Sequence, residues 1–344
     1  MSLTYTAHIS RKIIKYGGIG IISFVILWST VTTGYKIYRT AHPIYVAPTK
    51  RYGVLPNVIF PDKEKTKKSF SFEFANDTTP EFSDQARVYI IYRPNSSFLA
   101  LENDRKTARK FGFTSDPIES KTGVYEFSNS ELNKTLTMNV LDGSFELTYP
   151  YTKDQLLLNP TKMPSKAEAI ETASSFLENG DKLSADLENG RKEVNYWKIE
   201  NEILKAANSQ AEANVARVDF YRSDLNNLSI ISKDVGQASV SVLVSGSDVA
   251  DKRILKVEFK DLNIDNESFS TYPIKTTKEA IADLNAGNYW PAADITDSNV
   301  IIRKVYLAYF EPVTLTNYLQ PIFVFEGDNN FMAYVPAIAN SSSE

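Results

Sequence analysis

The sequence predicts an α+β fold, in which an N-terminal transmembrane helix precedes tandem domains, each a helix packed on a small antiparallel sheet. Three observations predict it. Residues 16–35 are apolar and carry no charge. Helix-start signals stand at Ser165 and Thr276, far apart in the chain. Each signal is followed by runs in which apolar and polar residues alternate, which is typical of half-buried strands.

The apolar stretch predicts a transmembrane helix over residues 16–38. At a rise of about 1.5 Å per residue, this length spans a hydrocarbon core of about 30 Å. Tyr16, Tyr35 and Tyr38 lie near the ends, where interfacial aromatic rings are common. The alternatives are a buried core helix and a cleaved signal peptide, but the apolar stretch is longer than the apolar region of a signal peptide. We therefore expect an uncleaved anchor preceded by a short N-terminal head, residues 1–15.

The orientation of the anchor is predicted from chain length, because the positive charges are nearly balanced. Arg11, Lys12 and Lys15 precede the apolar stretch, whereas Lys36 and Arg39 follow it. The positive-inside rule is also weak for a long domain that follows the helix. We expect a single-pass protein of the cell membrane whose C-terminal part is extracytoplasmic.

A segment rich in proline and lysine follows the anchor and is predicted to be a spacer, residues 39–69. Its prolines fix φ and favour extended geometry in the residues before them. We expect its lysines to be solvated linker charges, with anionic lipid headgroups as the alternative partner.

Three α+β lobes are predicted after the spacer. The first covers residues 70–160, with a short helix capped by Asn103 or Asp104 and a hairpin turn at Asp142-Gly143. The second covers residues 161–272 and the third residues 273–339. Residues 340–344 are predicted to be a solvated tail.

Capping boxes are predicted to open the helices of the second and third lobes. In each, a hydroxyl residue is followed three positions later by a glutamate that can reach back to the backbone. The pairs are Ser165 with Glu168 and Thr276 with Glu279. A third copy of the signal stands at Ser209.

The composition excludes several classes of chemistry. The chain has no cysteine, so thiolate metal sites and cysteine nucleophiles are excluded. Its two histidines, His8 and His42, flank the apolar stretch, so the lobes have no imidazole for Ser-His-Asp hydrolysis or for metal binding. The net charge of −4 argues against a nucleic-acid partner. We expect no cofactor and no metal.

The third lobe resembles a known group of bacterial proteins. The residues that carry the resemblance are "YPIKTTKEAIADLNAG", "IIRKVYLAYFEP" and "YLQPIFVFEGDNNFMAYVPAI". They are similar to the closing part of PepSY-like and YycH/YycI-like membrane-anchored proteins, and the similarity extends over about residues 165–339. The resemblance implies tandem helix-on-sheet domains and a role in regulating a membrane sensor kinase or restraining a peptidase. It implies no catalytic residue.

The candidate partner-facing residues are aromatic. Tyr306, Tyr309 and Phe310 lie in one strand-like run, and an exposed part of such a run is suited to recognition. Tyr306 and Tyr309 differ in parity along the strand, so we expect one of them to face away from the core.

Two polar groups suggest other chemistry. The alternating polar residues of "DLNIDNE", from Asp261 to Glu267, weakly match a calcium-binding loop. The solvent-exposed face of a strand gives the same pattern. Carboxylate pairs such as Asp294 and Asp297 are the minimum that a carboxylate-only hydrolase needs.

The sequence therefore predicts a non-enzymatic, single-pass membrane protein whose extracytoplasmic domains bind or regulate another envelope protein. One alternative is a surface or scaffold protein that assembles through its sheet edges. The other is the carboxylate-only hydrolase.

Overall fold

The N-terminal helix is the first element of a computed structural model that describes residues 3–41, 45–75, 78–92, 98–158, 162–314, 316–339 and 342. The chain divides into two compact units, Met1–Pro48 and Thr49–Glu344. The first unit contains α1 (Leu3–Ala41), so the helix already includes the described part of the predicted head. Its segment Tyr16–Arg39, 24 residues with a mean hydropathy of 1.5, is long and apolar enough to cross a membrane.

The second unit, called the body below, contains five helices and eighteen strands in its described part, which confirms the α+β prediction. The helices are α2 (Phe98–Lys110), α3 (Gln155–Leu158), α4 (Lys166–Asn179), α5 (Ala185–Asn189) and α6 (Thr277–Asn285). The first nine strands are β1 (Ser69–Phe72), β2 (Gln85–Tyr92), β3 (Ile118–Lys121), β4 (Val124–Asn129), β5 (Lys134–Asn139), β6 (Phe145–Thr148), β7 (Lys192–Glu200), β8 (Ile203–Ala206) and β9 (Val215–Phe220). The other nine are β10 (Ile230–Ile231), β11 (Val240–Ser245), β12 (Ile254–Phe259), β13 (Asn263–Pro273), β14 (Trp290–Ala293), β15 (Asn299–Phe310), β16 (Tyr318–Leu319), β17 (Pro321–Gly327) and β18 (Met332–Pro336).

A nine-stranded antiparallel sheet has the order β3-β4-β5-β6-β12-β11-β9-β7-β8. Strands of the first and second predicted lobes meet at its centre, where β6 pairs with β12. Helices α2 and α4 pack on one face, where the rings of Phe111 and Phe176 stack with their centroids 4.3 Å apart. Most strands of the first two predicted lobes therefore share one sheet and one main core, whereas β1, β2, β10 and β13 belong to the other two sheets.

A six-stranded mixed sheet has the order β1-β15-β17-β18-β14, and β10 also pairs with β15. Strands β1 and β10 pair with β15 in parallel, at its two ends. Helix α6 packs on one face, and an aromatic cluster that includes Trp290 and Phe310 covers the other. The third sheet is small, with β2 between β13 and β16.

Both predicted capping boxes are present. The hydroxyl of Ser165 accepts the backbone N–H of Glu168, whose carboxylate accepts the N–H of Ser165 at 2.7 Å. Thr276 and Glu279 make the same two bonds. The third signal differs, because Ser209 precedes a short 3-10 turn and makes no side-chain capping bond.

From Thr49 onward, the segment predicted to be a spacer lies against the body: residues 49–52 bond to β13 of the three-stranded sheet, and the chain from Phe60 onward packs on the six-stranded sheet. The ring of Phe60 stacks on Trp290 with centroids 5.6 Å apart, and the Trp290 indole donates to the Pro61 carbonyl at 2.7 Å. Lys68 is expected to be a solvated charge, but its side chain is buried and its ammonium pairs with the carboxylate of Asp294 at 2.9 Å. Prolines hold this stretch extended, so its apolar side chains bury surface much as an added strand does.

Candidate functional site

A cleft of about 710 Å³ lies between the nine-stranded and six-stranded sheets, and it is called the inter-sheet cleft below. One wall is lined by residues from the ranges 187–191, 220–240 and 260–261. The opposite wall is formed by Tyr306, Glu311, Met332 and Tyr334. A concave site with several converging polar groups is the usual form of a binding site.

The loop between β9 and β11 builds the cleft. Both strands belong to the nine-stranded sheet, yet the loop between them carries β10, which pairs with β15 of the six-stranded sheet. Tyr309 donates its backbone N–H to Ser229, and Glu311 donates to Ile231 at 2.8 Å. The loop is therefore fixed to both sheets, and the space beneath it becomes the cleft.

Arg222 is the central cation of the cleft wall. Its guanidinium donates to Asp186 at 2.7 Å and also contacts the carboxylate of Asp261 and the carbonyl of Leu262. The side chain is only 10% exposed. Within the described part of the chain, nothing accepts a hydrogen bond from its buried Nε.

Glu311 is the least exposed charged side chain of the cleft, at 5%. One carboxylate oxygen, Oε2, accepts a hydrogen bond from the hydroxyl of Ser239, whereas Oε1 is buried and has no partner among the described residues. Burial raises the pKa of Glu311, an effect that Ser239, Lys260 and Arg222 oppose and that Asp261 reinforces. The carboxyl therefore retains its proton to a higher pH than an ordinary glutamate does.

Lys260 does not supply a direct partner for Glu311. Its ammonium donates to the carbonyl of Pro312 at 3.1 Å, and its backbone N–H donates to Ser239 at 3.0 Å. Its charge favours ionised Glu311 only through space.

Tyr221 supports the wall of the cleft that residues 220–240 contribute. The guanidinium of Arg191 lies 3.9 Å from the centre of the Tyr221 ring, a cation–π contact. The Tyr221 hydroxyl donates to the carbonyl of Gly236 at 2.7 Å. The backbone of Gly190 lies so close to the Tyr221 carbonyl that a Cβ would overlap it.

The three aromatic residues predicted to face a partner lie in different environments. Tyr306 lines the cleft and donates its hydroxyl to Glu326 at 2.7 Å. Tyr309 and Phe310, however, are fully buried, which corrects the prediction that they face a partner. The Tyr309 hydroxyl is bonded to the backbone of Arg87, and Phe310 packs on Phe60.

Three of the other polar residues that the sequence singles out are each bonded to a neighbouring side chain. Asp294 pairs with Lys68, and Asp297 accepts from Asn329 at 3.2 Å. Asp261, from the weak calcium pattern, is held by Arg222. No group of histidine, cysteine or carboxylate side chains in the described ranges is arranged to hold a metal ion.

Sequence reasoning missed Arg222 and Glu311. One signal for Glu311 was available, because it is a charged residue directly after the apolar run "VYLAYF". No comparable signal marks Arg222, which lies in an ordinary polar loop sequence.

Comparisons with known proteins give no family assignment. No family model matches the chain, and no curated protein matches it. Among solved structures, an uncharacterised protein from Eubacterium rectale is 13% identical, with a TM-score of 0.42, over 78% of this chain and 87% of that one. The C-terminal domain of YpeB from Bacillus megaterium is also 13% identical, with a TM-score of 0.32, over 72% of this chain and 95% of that one. Neither likeness is close enough to carry an argument, so the PepSY-like and YycH/YycI-like resemblance stays a prediction from the sequence.

Proposed function

We propose that this chain is a non-enzymatic, single-pass protein of the cell envelope, whose extracytoplasmic body binds and regulates another envelope protein through the inter-sheet cleft. The observation that carries the proposal is the cleft itself, a concave site with a buried, incompletely bonded carboxylate on one wall. The apolar segment of α1 supports the membrane location. The sequence resemblance supports a sensor kinase or a peptidase as the kind of partner.

The ion pairs of Asp186 and Asp261 argue against hydrolysis in which either of them supplies the second carboxyl group. A carboxylate-only hydrolase needs one carboxyl group as acid and a second, free one as base or nucleophile. Glu311 is suited to the first role, but Asp261 and Asp186 are both engaged by Arg222. Neither is free to act as the second group.

A scaffold that assembles through sheet edges remains the alternative. The edge strand β3 is exposed along its whole length, and Ile118 at its start is 74% exposed. However, the strand has only four residues, and short edge strands are one way in which proteins prevent edge pairing. A concentration-dependent oligomer that Ile118→Lys abolishes would favour the scaffold.

Single-cysteine labelling tests the proposed function directly, because the chain has no cysteine of its own. Val235→Cys places a thiol on the exposed rim of the cleft, and Ile118→Cys places one on the β3 edge as a control. In intact cells, a membrane-impermeant maleimide is expected to label both variants. A photoactivatable maleimide is expected to crosslink a discrete envelope protein from position 235 and not from position 118. Labelling only after lysis, or equal crosslinking from both positions, would reject the proposal.

A further inference from the structure

The charges around the inter-sheet cleft are unevenly paired. Asp186 and Asp261 share the guanidinium of Arg222, and the ammonium of Lys260 is bonded to a backbone carbonyl. Glu311 has no ion pair with any described residue, although it is nine-tenths buried. A buried carboxylate is stable when it is bonded to a cation and is otherwise favoured in its protonated form.

The orphaned atom is one oxygen of that carboxylate. Ser239 already donates to Oε2, so Oε1 is the carboxylate oxygen that still lacks a donor; because it is buried, a donor from outside reaches it only when side chains of the cleft wall shift. The groups that face Glu311 are Ser239 before β11, Lys260 and Asp261 after β12, and Arg222 after β9. Tyr306 and Tyr334 contribute the aromatic side of the cleft.

We propose that Oε1 of Glu311 binds the ammonium group of a lysine side chain, carried by an extended segment of the partner protein. This inference rests on the proposed function and names the chemistry that the cleft recognises.

Lysine fits this site better than arginine does. An ammonium group is a compact point charge that one carboxylate oxygen can bind, whereas a guanidinium is bound best by two free oxygens. At Glu311 the second oxygen is occupied by Ser239. Ile231, Met332 and Tyr334 line the cleft and offer apolar surface to the four-carbon stem of a lysine.

Peptide binding to the full chain in lipid nanodiscs tests the proposal. The probes are blocked pentapeptides Gly-Gly-X-Gly-Gly, in which X is lysine, norleucine or arginine. Ligand-observed saturation-transfer NMR is expected to show contact at the lysine ε-methylene. The norleucine and arginine peptides are expected to bind at least about tenfold more weakly. Norleucine lacks the charge needed for a charge-assisted hydrogen bond, and the guanidinium of arginine does not fit a single free oxygen.

Two variants and a control make the result specific. Glu311→Gln keeps the shape of the side chain and removes its charge, so the lysine peptide is expected to lose at least about tenfold in affinity. Ser239→Ala frees Oε2, so the preference is expected to shift from lysine toward arginine. Glu126→Gln changes an exposed glutamate in β4 and is expected to leave the affinity unchanged.

The affinity is also expected to fall as the pH is lowered, because Glu311 has a raised pKa and takes up a proton that competes with the ammonium group. Equal binding of the norleucine peptide, or full lysine affinity in Glu311→Gln, overturns the inference. Binding of free butylamine without binding of the lysine peptide also overturns it, since the ligand is then a small amine. If the peptides fail while position 235 still crosslinks a partner, the proposed function stands and only this inference falls.

Discussion

Asp104 is expected to make the stability of the body depend on pH, in a way that one substitution removes. It lies within α2, is only 8% exposed, and has a carboxylate oxygen with no partner among the described residues. Burial raises its pKa from 3.8 to about 6, and the nearby charge of Lys182 limits the rise. The substitution that tests this environment is Asp104→Asn, which keeps the shape and removes the charge.

The sign of the effect follows from proton binding. The folded state holds the proton of Asp104 more tightly than the unfolded state, so stability falls as the pH rises from about 4 to about 6. At about 1.4 kcal/mol for each pKa unit, a rise of this size corresponds to ~3 kcal/mol. Two effects make the gain in unfolding free energy from Asp104→Asn smaller than this: the carboxylate is partly solvated, and asparagine loses the attraction between Asp104 and Lys182. We therefore expect a gain of ~1–2 kcal/mol at pH 7.5. At pH 4 the two proteins are expected to be equally stable.

The assay is urea unfolding of the full chain in nanodiscs, followed by circular dichroism at pH 4 and pH 7.5. Asp116→Asn is the matched control, because Asp116 is 93% exposed in its pair with Arg105, and exposed pairs contribute under ~1 kcal/mol. A loss of stability for Asp104→Asn at pH 7.5, or an equal change at both pH values, would refute the reasoning. The first result would mean that a favourable partner holds ionised Asp104, and the second that folding does not change the pKa of Asp104.

Three further substitutions test the walls of the cleft and a helix start. Gly190→Ala is expected to lower the free energy of unfolding by ~1–3 kcal/mol in the same assay, because the new methyl group overlaps the Tyr221 carbonyl; unchanged stability contradicts that contact. Arg222→Met is expected to cost ~3 kcal/mol at pH 7.5 and less as the pH is lowered, because burial raises the pKa of Asp261 and its protonated form does not need the guanidinium; a cost independent of pH argues against the ion pairs. Thr276→Ala is expected to lower the melting temperature, for a loss of ~1 kcal/mol, and Thr276→Ser to preserve it; equal losses mean that the hydroxyl does not cap α6.

The features that the sequence predicts well are those set by near neighbours. A capping box needs two residues three positions apart, and both predicted boxes form. Ser209 has the same spacing but precedes only a three-residue 3-10 turn, because the chain enters β9 directly afterwards. A local signal therefore predicts a helix start only where apolar residues at helical spacing follow it.

Helix α2 shows how packing overrides such a signal. The sequence predicts that Asn103 or Asp104 caps a short helix, but the helix runs from Phe98 to Lys110 and places both residues in its interior. The sheet buries the face that carries Asp104 and Ala108. Burying the apolar residues of this face favours a longer helix, and this gain outweighs the cost of burying the Asp104 carboxylate. Local helix propensity does not include either contribution.

The candidate site was beyond prediction because it depends on pairing between distant residues. Arg222 and Glu311 are brought to one cleft by the two-residue strand β10, which pairs with the end of β15. A strand of two residues leaves almost no periodic signal in a sequence. The aromatic run that drew the functional prediction forms β15 itself, and its most apolar residues are needed in the core.

The position of Glu311 predicts that the proposed binding and the stability of the fold are connected at this cleft. A hydrophobic residue after β15 would cover the same surface without the desolvation cost of a carboxylate. The cost is incurred where β10 already joins the two sheets, and the carboxylate adds one further link between them, the hydrogen bond from Ser239. A bound cation offsets this cost only when it is present, and it therefore stabilises the folded body by mass action. Ligand binding at Glu311 should thus raise the unfolding midpoint most at high pH, where the empty carboxylate is least favourable.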